Sequence, residues 1–259
     1  MLLAIDIGNT NLHVGFFRGG EDVPFCHFCL GSDEKRSCDE YAFLLSAMSE
    51  QRGVGLHAVT AVIIGSVVPT LTGTVRAAVR TRIDAPVTVV GPGVRTGFPI
   101  RLSDPSELGA DLAANAAGAV AVCGAPCVIV SIGTATVVSA MDKSGAFAGA
   151  SILPGVRMSY GALGETGLLK SVASDAKLPT VGKDTEEAIR SGVLYGTAYA
   201  VKGLAMQYLP ALGLPESTPV IVSGSAAEEL IPLLPATYTH IPLLTLRGLA
   251  RIHAIGGKR

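Results

Sequence analysis

Two short stretches of the chain carry residue types suited to phosphate chemistry. The first, DIGNTN, runs from Asp6 to Asn11. Gly8 lets the backbone approach a phosphate closely, and the N–H groups and side chains of Asn9, Thr10 and Asn11 can hydrogen-bond its oxygens. Asp6 follows the apolar run LLAI, so it ends a buried strand, where an unpaired carboxylate is costly. Two readings stand: Asp6 caps its own turn, or it holds a hydrated Mg²⁺, a hard cation that takes oxygen ligands. The second stretch, SIGTAT, runs from Ser131 to Thr136. Gly133, Thr134 and Thr136 can face phosphate oxygens, but Ser131 stands where the first stretch has its acid. A plain hairpin is the competing reading.

Three further segments carry candidate chemistry. In ELGADLAAN, Asp111 precedes an uncharged helix. It is either a first-turn acid favoured by the helix dipole or a general base that takes a proton from a substrate hydroxyl. In VIVSGSAAEEL, an apolar strand runs through Ser223 and Gly224 into a helix. This is a common connection and also a place for a nucleotide to lie over a turn. The loop GPGVRTGFP, from Gly91 to Pro99, has no regular period, and long irregular loops in compact proteins are often functional. Its Arg95 can pair with a carboxylate or phosphate. The pair in CHFC, Cys26 and Cys29, has a zinc-like spacing, but residues three apart on a strand face opposite sides, so ordinary packing is expected.

The elements that must position these residues can be read from pattern. Residues 2–7, 12–17 and 26–30 read as a strand meander. Ser37 with Glu40 forms a capping box opening a helix that ends near Gly53. AVTAVIIGSVVP is a buried strand, TLTGTVRAAVRTRI an amphipathic helix, and APVTVVG another strand. PSELGADLAANAAGAVAV is an Ala-rich helix with close-packing faces. The second half starts a new meander, CVIVSIGT, TVVSAMD and AFAGASILPG, with a hairpin turn at Asp142–Gly145. Helices follow at VRMSYGALGETG and DTEEAIRSGVLYGTAYAVKGLAMQYL. After the strand PVIVS come a helix and, at LTLRGLARIHAIG, one more. Asp6 and Ser131 lie 125 residues apart in a chain of 259, so each half opens with a glycine turn. That internal repeat is the most informative global feature.

Composition narrows the classes. Hydrophobic residues make up 49% and charged residues 16%, so the core is large and disorder is not expected. A formal net charge of −1 gives no electrostatic case for nucleic acid or an anionic membrane as a partner. The uncharged run from Leu112 to Met141 is interrupted by Gly118, Gly124 and Pro126, and reads as helix, turn and strand rather than a membrane span. The opening MLLAIDIGN lacks the basic segment of an export signal. Five cysteines, an odd number, argue against a disulfide framework. A cytoplasmic protein is expected.

The two glycine turns with the later Ser-Gly-Ser turn resemble the actin and sugar-kinase superfamily. The resemblance sharpens with DIGNTN, SVVPTLT, VVGPGVRTGFPIRLSDPSELGAD, GTAT, GASILPGVRMS, VGKDTEEAIRSGVLYG and LTLRGL, in that order over nearly the whole chain. Together they are similar to the type III pantothenate kinase family, and the long middle segment sets aside a sugar or acetate kinase. The resemblance implies an α/β fold of two ribonuclease H-like lobes, residues 1–120 and 121–259, of the actin/acetate-and-sugar-kinase superfamily, with ATP in an interlobe cleft. It implies phosphorylation of pantothenate, Mg²⁺, a monovalent cation (K⁺ or NH₄⁺) and a homodimer. By position, Asp6 serves Mg²⁺ and phosphate and Asp111 is the base. Gly91, Arg95, Thr96, Gly97 and Gly109 line the pantothenate pocket, and Thr166 contacts substrate. Ser223 and Gly224 belong to the nucleotide turn. Two positions depart from the family pattern. Leu112 replaces an Arg that would pair with carboxylate or phosphate, and Ser131 replaces the Asp of the monovalent-cation site. The alternative reading is therefore a weakened member, a ligand-binding pseudokinase or an accessory factor for transcription.

Overall fold

The computed structural model describes residues 1–164 and 178–257. Two compact units divide the chain: Met1–Val122 together with Leu243–Arg259, and Cys123–Pro242. The boundary lies near the expected residue 120. The C-terminal segment differs from the expected division, because it clusters with the first unit rather than the second.

The first unit is built on β1 (Leu2–Ile7), β2 (Asn11–Phe17), β3 (Cys26–Gly31), β4 (Ala61–Ser66) and β5 (Val87–Val89), in the order β3-β2-β1-β4-β5. The first three strands pair antiparallel, and β4 and β5 add in parallel. Alternation along β1 sorts its side chains. Leu3, Ile5 and Ile7 face α1 (Cys38–Gln51) and α2 (Pro69–Arg80), where they meet Tyr41, Leu45, Leu71 and Val75. Ala4 faces the opposite core, formed with α3 (Ala110–Cys123) and α7 (Leu244–Gly256), which supply Ala110, Ala114, Leu246 and Leu249. The predicted capping box is present at the start of α1. Ser37 Oγ accepts from the Glu40 N–H at 3.3 Å, and the Ser37 N–H donates to Glu40 Oε2 at 2.7 Å.

The Ala-rich sequence of α3 now has a cause. α3 and α7 approach until a Cβ on Gly248 would overlap the Ala114 carbonyl, and a Cβ on Gly118 would meet the Leu244 side chain and carbonyl at 2.9 Å. Thr245 Oγ1 donates to Asn115 Oδ1 at 2.8 Å across the same contact. Small residues permit this approach, and buried Leu249 and Ile252 each add about 1.5–3 kcal/mol of apolar transfer.

The second unit repeats the plan. β6 (Cys127–Ile132), β7 (Ala135–Met141) and β8 (Phe147–Pro154) form the meander, and β9 (Val220–Ser223) and β10 (Thr239–His240) add in parallel, in the order β10-β9-β6-β7-β8. One face, carrying Val128, Val130, Ile132 and Val138, packs on α5 (Thr185–Ala211). α4 (Val156–Gly164) follows β8. The helix expected after Ser223–Gly224 is short: α6 (Ala227–Leu230) passes at once into a 3-10 turn containing Pro232. The two-residue β10 was not expected from the sequence. Among the described residues no helix is long and apolar enough to cross a membrane.

Gly248→Ala tests the α3–α7 contact. Glycine to alanine inside a helix ordinarily gains about 1 kcal/mol, but here overpacking against Ala114 should dominate and cost about 2 kcal/mol in urea unfolding. Gly73→Ala in α2, where a Cβ meets nothing within 4 Å, should be neutral or stabilising. Equal effects of the two substitutions would contradict the contact.

Candidate active site

Asp6 lies on β1 on the same face as Ala4, the face covered by α3 and α7. The first turn of α3 carries Asp111, so strand alternation and helix placement bring two carboxylates into one neighbourhood. Burial, and then the nearby Asp111 charge, push Asp6 up from an ordinary 3.8 to about 7. Asp111 is raised as well, by burial, against the N–H groups of Leu112 and of Asp111 itself, which favour its charged form. Gly109 matters here for lack of a side chain: a Cβ would sit 2.6 Å from Asp111 Oδ1.

The turn after β1 is closed by the Gly8 N–H donating to the Asn11 carbonyl at 3.0 Å. Ser32 holds it from outside. Its Oγ donates to the Gly8 carbonyl at 2.6 Å, and its N–H donates to the Thr10 carbonyl at 2.9 Å. Ser32 was not singled out from the sequence, because nothing local to β3 announces a contact with a turn some two dozen residues earlier. Asn9 and Thr10 are exposed at the tip, with Gly8 and Asn11 half-buried. Beside Asp6 in the sheet register stands His13, and beside His13 stands Cys29, whose Sγ is 3.0 Å from His13 Nδ1.

In the second unit three segments converge on the SIGTAT turn. The Gly133 N–H donates to the Ala135 carbonyl at 2.9 Å, and the Gly155 N–H donates to the Thr134 carbonyl at 3.1 Å. A Cβ on Gly155 would overlap the carbonyls of Gly133 and Thr134. Gly224, at φ +111°, is held so closely that a Cβ would overlap Ile132, and the Ala226 N–H donates to the Ile132 carbonyl at 2.9 Å. Ser131 is paired in register with Ser223 on β9, so the two hydroxyl residues are cross-strand neighbours. Ser131 is half-buried and Ser223 buried. Thr134 is exposed at the turn. Thr136 differs from expectation. It lies opposite Ile132 on the α5-facing side, fully buried, and its hydroxyl has no hydrogen-bond partner among the described residues. The alternation of β7 turns it away from Ser131.

The Gly91–Gly97 loop is seated on the first unit. Val94 and Phe98 pack into the core shared with α7, and a Cβ on Gly97 (φ +92°) would meet Ile255 at 2.6 Å. Thr96 Oγ1 donates to the Phe98 carbonyl at 3.2 Å, Gly91 is exposed, and Arg95 is exposed with no ion pair to a described residue. Thr166 lies outside the described residues. Leu112 is half-buried beside Asp111.

A model of type III pantothenate kinase matches residues 2–207. The chain belongs to the type III pantothenate kinase family. The type III pantothenate kinase of Moorella thermoacetica is 34% identical over 262 residues, covering 98% of each chain. That of Rubrobacter xylanophilus is 36% identical over 264 residues, covering 100% of this chain and 99% of its own. Two solved structures share the fold. One is a Campylobacter jejuni protein described as a Baf family transcriptional activator, with TM-score 0.60 at 17% identity over 98% of both chains. The other is a Sinorhizobium meliloti protein described as a 2-dehydro-3-deoxygalactonokinase, with TM-score 0.55 at 13% identity over 99% and 100%. The fold is the α/β architecture expected from the sequence.

The family raises the question of a cation, and the donors near Asp6 fit one. The described residues hold no group of three or more His, Cys, Asp or Glu arranged for a metal. A site with one or two carboxylates, completed by water and phosphate, is the Mg²⁺ type. Without a cation, the Asp6 proton carries a stability signature. A carboxyl raised from 3.8 to about 7 makes the folded chain bind more protons than the unfolded chain between those values. The contribution is therefore fully present below 3.8 and is lost as pH rises from there through 7. The whole displacement corresponds to about 4 kcal/mol, and the residual exposure of Asp6 reduces this to about 2 kcal/mol. Asp6→Asn should therefore stabilise the metal-free chain by about 2 kcal/mol at pH 8 and leave it unchanged at pH 4, measured by denaturant unfolding. Equal effects at both pH values would contradict the raised Asp6.

Proposed function

We propose that this chain transfers the γ-phosphoryl group of ATP to the hydroxyl of pantothenate, the first step of coenzyme A biosynthesis. The observation that carries this reading is the pairing of Asp6 with Asp111 in a chain belonging to the type III pantothenate kinase family. Asp111, half-buried and raised toward neutrality, is suited to accept the hydroxyl proton. Asp6 would hold Mg²⁺, which when bound neutralises charge on the phosphates. The Gly8–Asn11 and Gly133–Thr134 turns bind phosphate through backbone N–H groups, and Ser223–Gly224 lies at the nucleotide. Gly109, Thr166 and the Gly91–Gly97 loop with Arg95 and Thr96 line the pantothenate pocket. Thr136 supports the second turn from the core side.

Leu112 and Ser131 favour a second reading, a weakened member that binds ligands and regulates. Ser131 offers a neutral oxygen for K⁺ or NH₄⁺ where the family has a charge, and Leu112 offers no hydrogen bond at all. Removing one electrostatic catalytic group typically costs about 2–4 kcal/mol. An ADP-release assay separates the readings. Turnover that requires both ATP and pantothenate is expected, with Asp111→Asn lowering kcat by about 10²–10⁴. Ser131→Asp with Leu112→Arg should raise kcat and restore a response to K⁺. Ligand binding without turnover in any Mg²⁺, K⁺ or NH₄⁺ condition would support the regulatory reading instead.

The chain is proposed to act in the cytoplasm as a homodimer, without nucleic acid or membrane partners. Support for the dimer comes from the second unit. Tyr199 and Met206 on α5 and Ile152 on β8 are 61%, 57% and 71% exposed. Gly192, Gly196 and Gly203 leave open space along α5. A cavity of about 610 Å³ lined by Leu153, Ile189, Val193 and Gly196 opens beside them. Light scattering should report a dimer, and Tyr199→Arg with Met206→Arg should report a monomer that keeps its circular dichroism. A monomeric wild-type chain at micromolar concentration would overturn the assignment.

A further inference from the structure

The loop that leaves β5 is fastened at both ends of a short arch. The Val90 N–H donates to the Ile64 carbonyl at 2.8 Å, and the Val94 N–H donates to the Gly91 carbonyl at 3.0 Å. Val94 and Phe98 then pack against the core that contains Ala110, Leu249 and Ile252. Between these two anchors the chain passes through Arg95, Thr96 and Gly97, with Arg95 exposed and Thr96 half-buried. One side chain of α7 meets the arch from below. Ile255, half-buried in the last turn of the helix, stands three residues after buried Ile252 and so on the same face. Its Cδ1 lies 2.6 Å, and its Cγ1 3.7 Å, from where a Cβ on Gly97 would be. Gly97 also sits at φ +92°, a conformation that L side chains rarely adopt. The backbone of the arch and the branched side chain therefore meet with no room for a methyl group between them.

We infer that Ile255 is a positioning residue for the acceptor substrate: by seating Gly97 it fixes the arch that presents Arg95 and Thr96, and so sets the affinity for pantothenate. This rests on the proposed function, which puts the Gly91–Gly97 loop at the pantothenate pocket. The loop has little rigidity of its own. Three of its seven residues are glycines, which leave the backbone free, and the Thr96 hydroxyl is bonded within the loop, to the Phe98 carbonyl at 3.2 Å. Order must come from contact with a rigid element. α7 is such an element, because it is locked to α3 where Gly248 meets Ala114 and Gly118 meets Leu244. Ile255 therefore passes the rigidity of the α3–α7 pair to the loop. It acts through the loop and belongs to neither the Asp6–Asp111 pair nor the phosphate turns. Loosening the loop weakens acceptor binding alike in the ground state and the transition state, which raises KM and spares kcat.

Steady-state ADP release and limited trypsin digestion of the full-length chain test the inference together. Ile255→Ala should raise KM for pantothenate by about tenfold, short of the about 10²-fold that a 1 Å misplacement can cost, while kcat and KM for ATP stay within about twofold. Trypsin cuts after Arg95 when the arch opens, so the fragment 1–95 should form several times faster from Ile255→Ala than from wild type, and pantothenate should slow it. Ile255→Val should fall between the two, which keeps the test valid if the alanine variant folds poorly. Val75→Ala removes a similar side chain from the core on the opposite face of the sheet and should move neither readout. Wild-type KM or wild-type cleavage in Ile255→Ala, or the same changes in Val75→Ala, would overturn the inference and leave the proposed function standing. A wild-type chain with no pantothenate-dependent ADP release would instead overturn the proposed function, and the inference with it.

Discussion

Two buried carboxylates in one neighbourhood, Asp6 and Asp111, are the constraint on which the arrangement of the first unit turns. Each is raised by burial, and the charge of Asp111 raises Asp6 further. Holding them together requires rigid support, because a flexible scaffold would let them separate and hydrate. The support is visible. β1 is central in its sheet, flanked by β2 and β4, and α3 is locked to α7 through glycine and alanine contacts that admit no extra methyl group. The unfavourable pairing is also what makes the site useful. A proton bound there relieves the repulsion, and the divalent cation of the proposed function would do the same.

The second unit uses the same strand plan without the acid. Ser131 occupies the register position matching the end of a central strand, and Ser223 stands beside it. Gly155 and Gly224 bring two further segments into backbone contact around the Gly133 turn. The turn geometry is thus fully built where the charge is absent. That division separates two things a phosphate site needs: N–H groups fixed by tight backbone packing, and counter-charge supplied by side chains. On the proposed function, the first is present in both units and the second in one.

Much of this was legible in the sequence because local signals decide it. The capping box at Ser37, the hairpin at Asp142–Gly145 and the apolar alternation of β1 each depend on a few neighbouring residues, and each forms as read. The repeat of a glycine turn 125 residues apart anticipated the matching order of the two sheets. What escaped depends on distant partners. α7 reads as a helix from its pattern, but only the three-dimensional contact of Gly248 with Ala114 places it with the first unit. Ser32 is an ordinary strand-end residue until its bonds to Gly8 and Thr10 are seen. Thr136 reads as part of a phosphate turn, yet one further residue of strand alternation sends it to the core. Residue type named the candidates, and register decided which of them can share a face.

Asp6 is about half protonated at neutral pH, and a cation bound there, as proposed, would displace its proton. Calorimetric titration of Mg²⁺ into the chain at pH 6.5, repeated in buffers of different ionisation enthalpy, measures that proton directly. A raised Asp6 predicts release of most of one proton per bound Mg²⁺, lost in Asp6→Asn. Mg²⁺ binding with no dependence on the buffer, or the same proton release from Asp6→Asn, would contradict it.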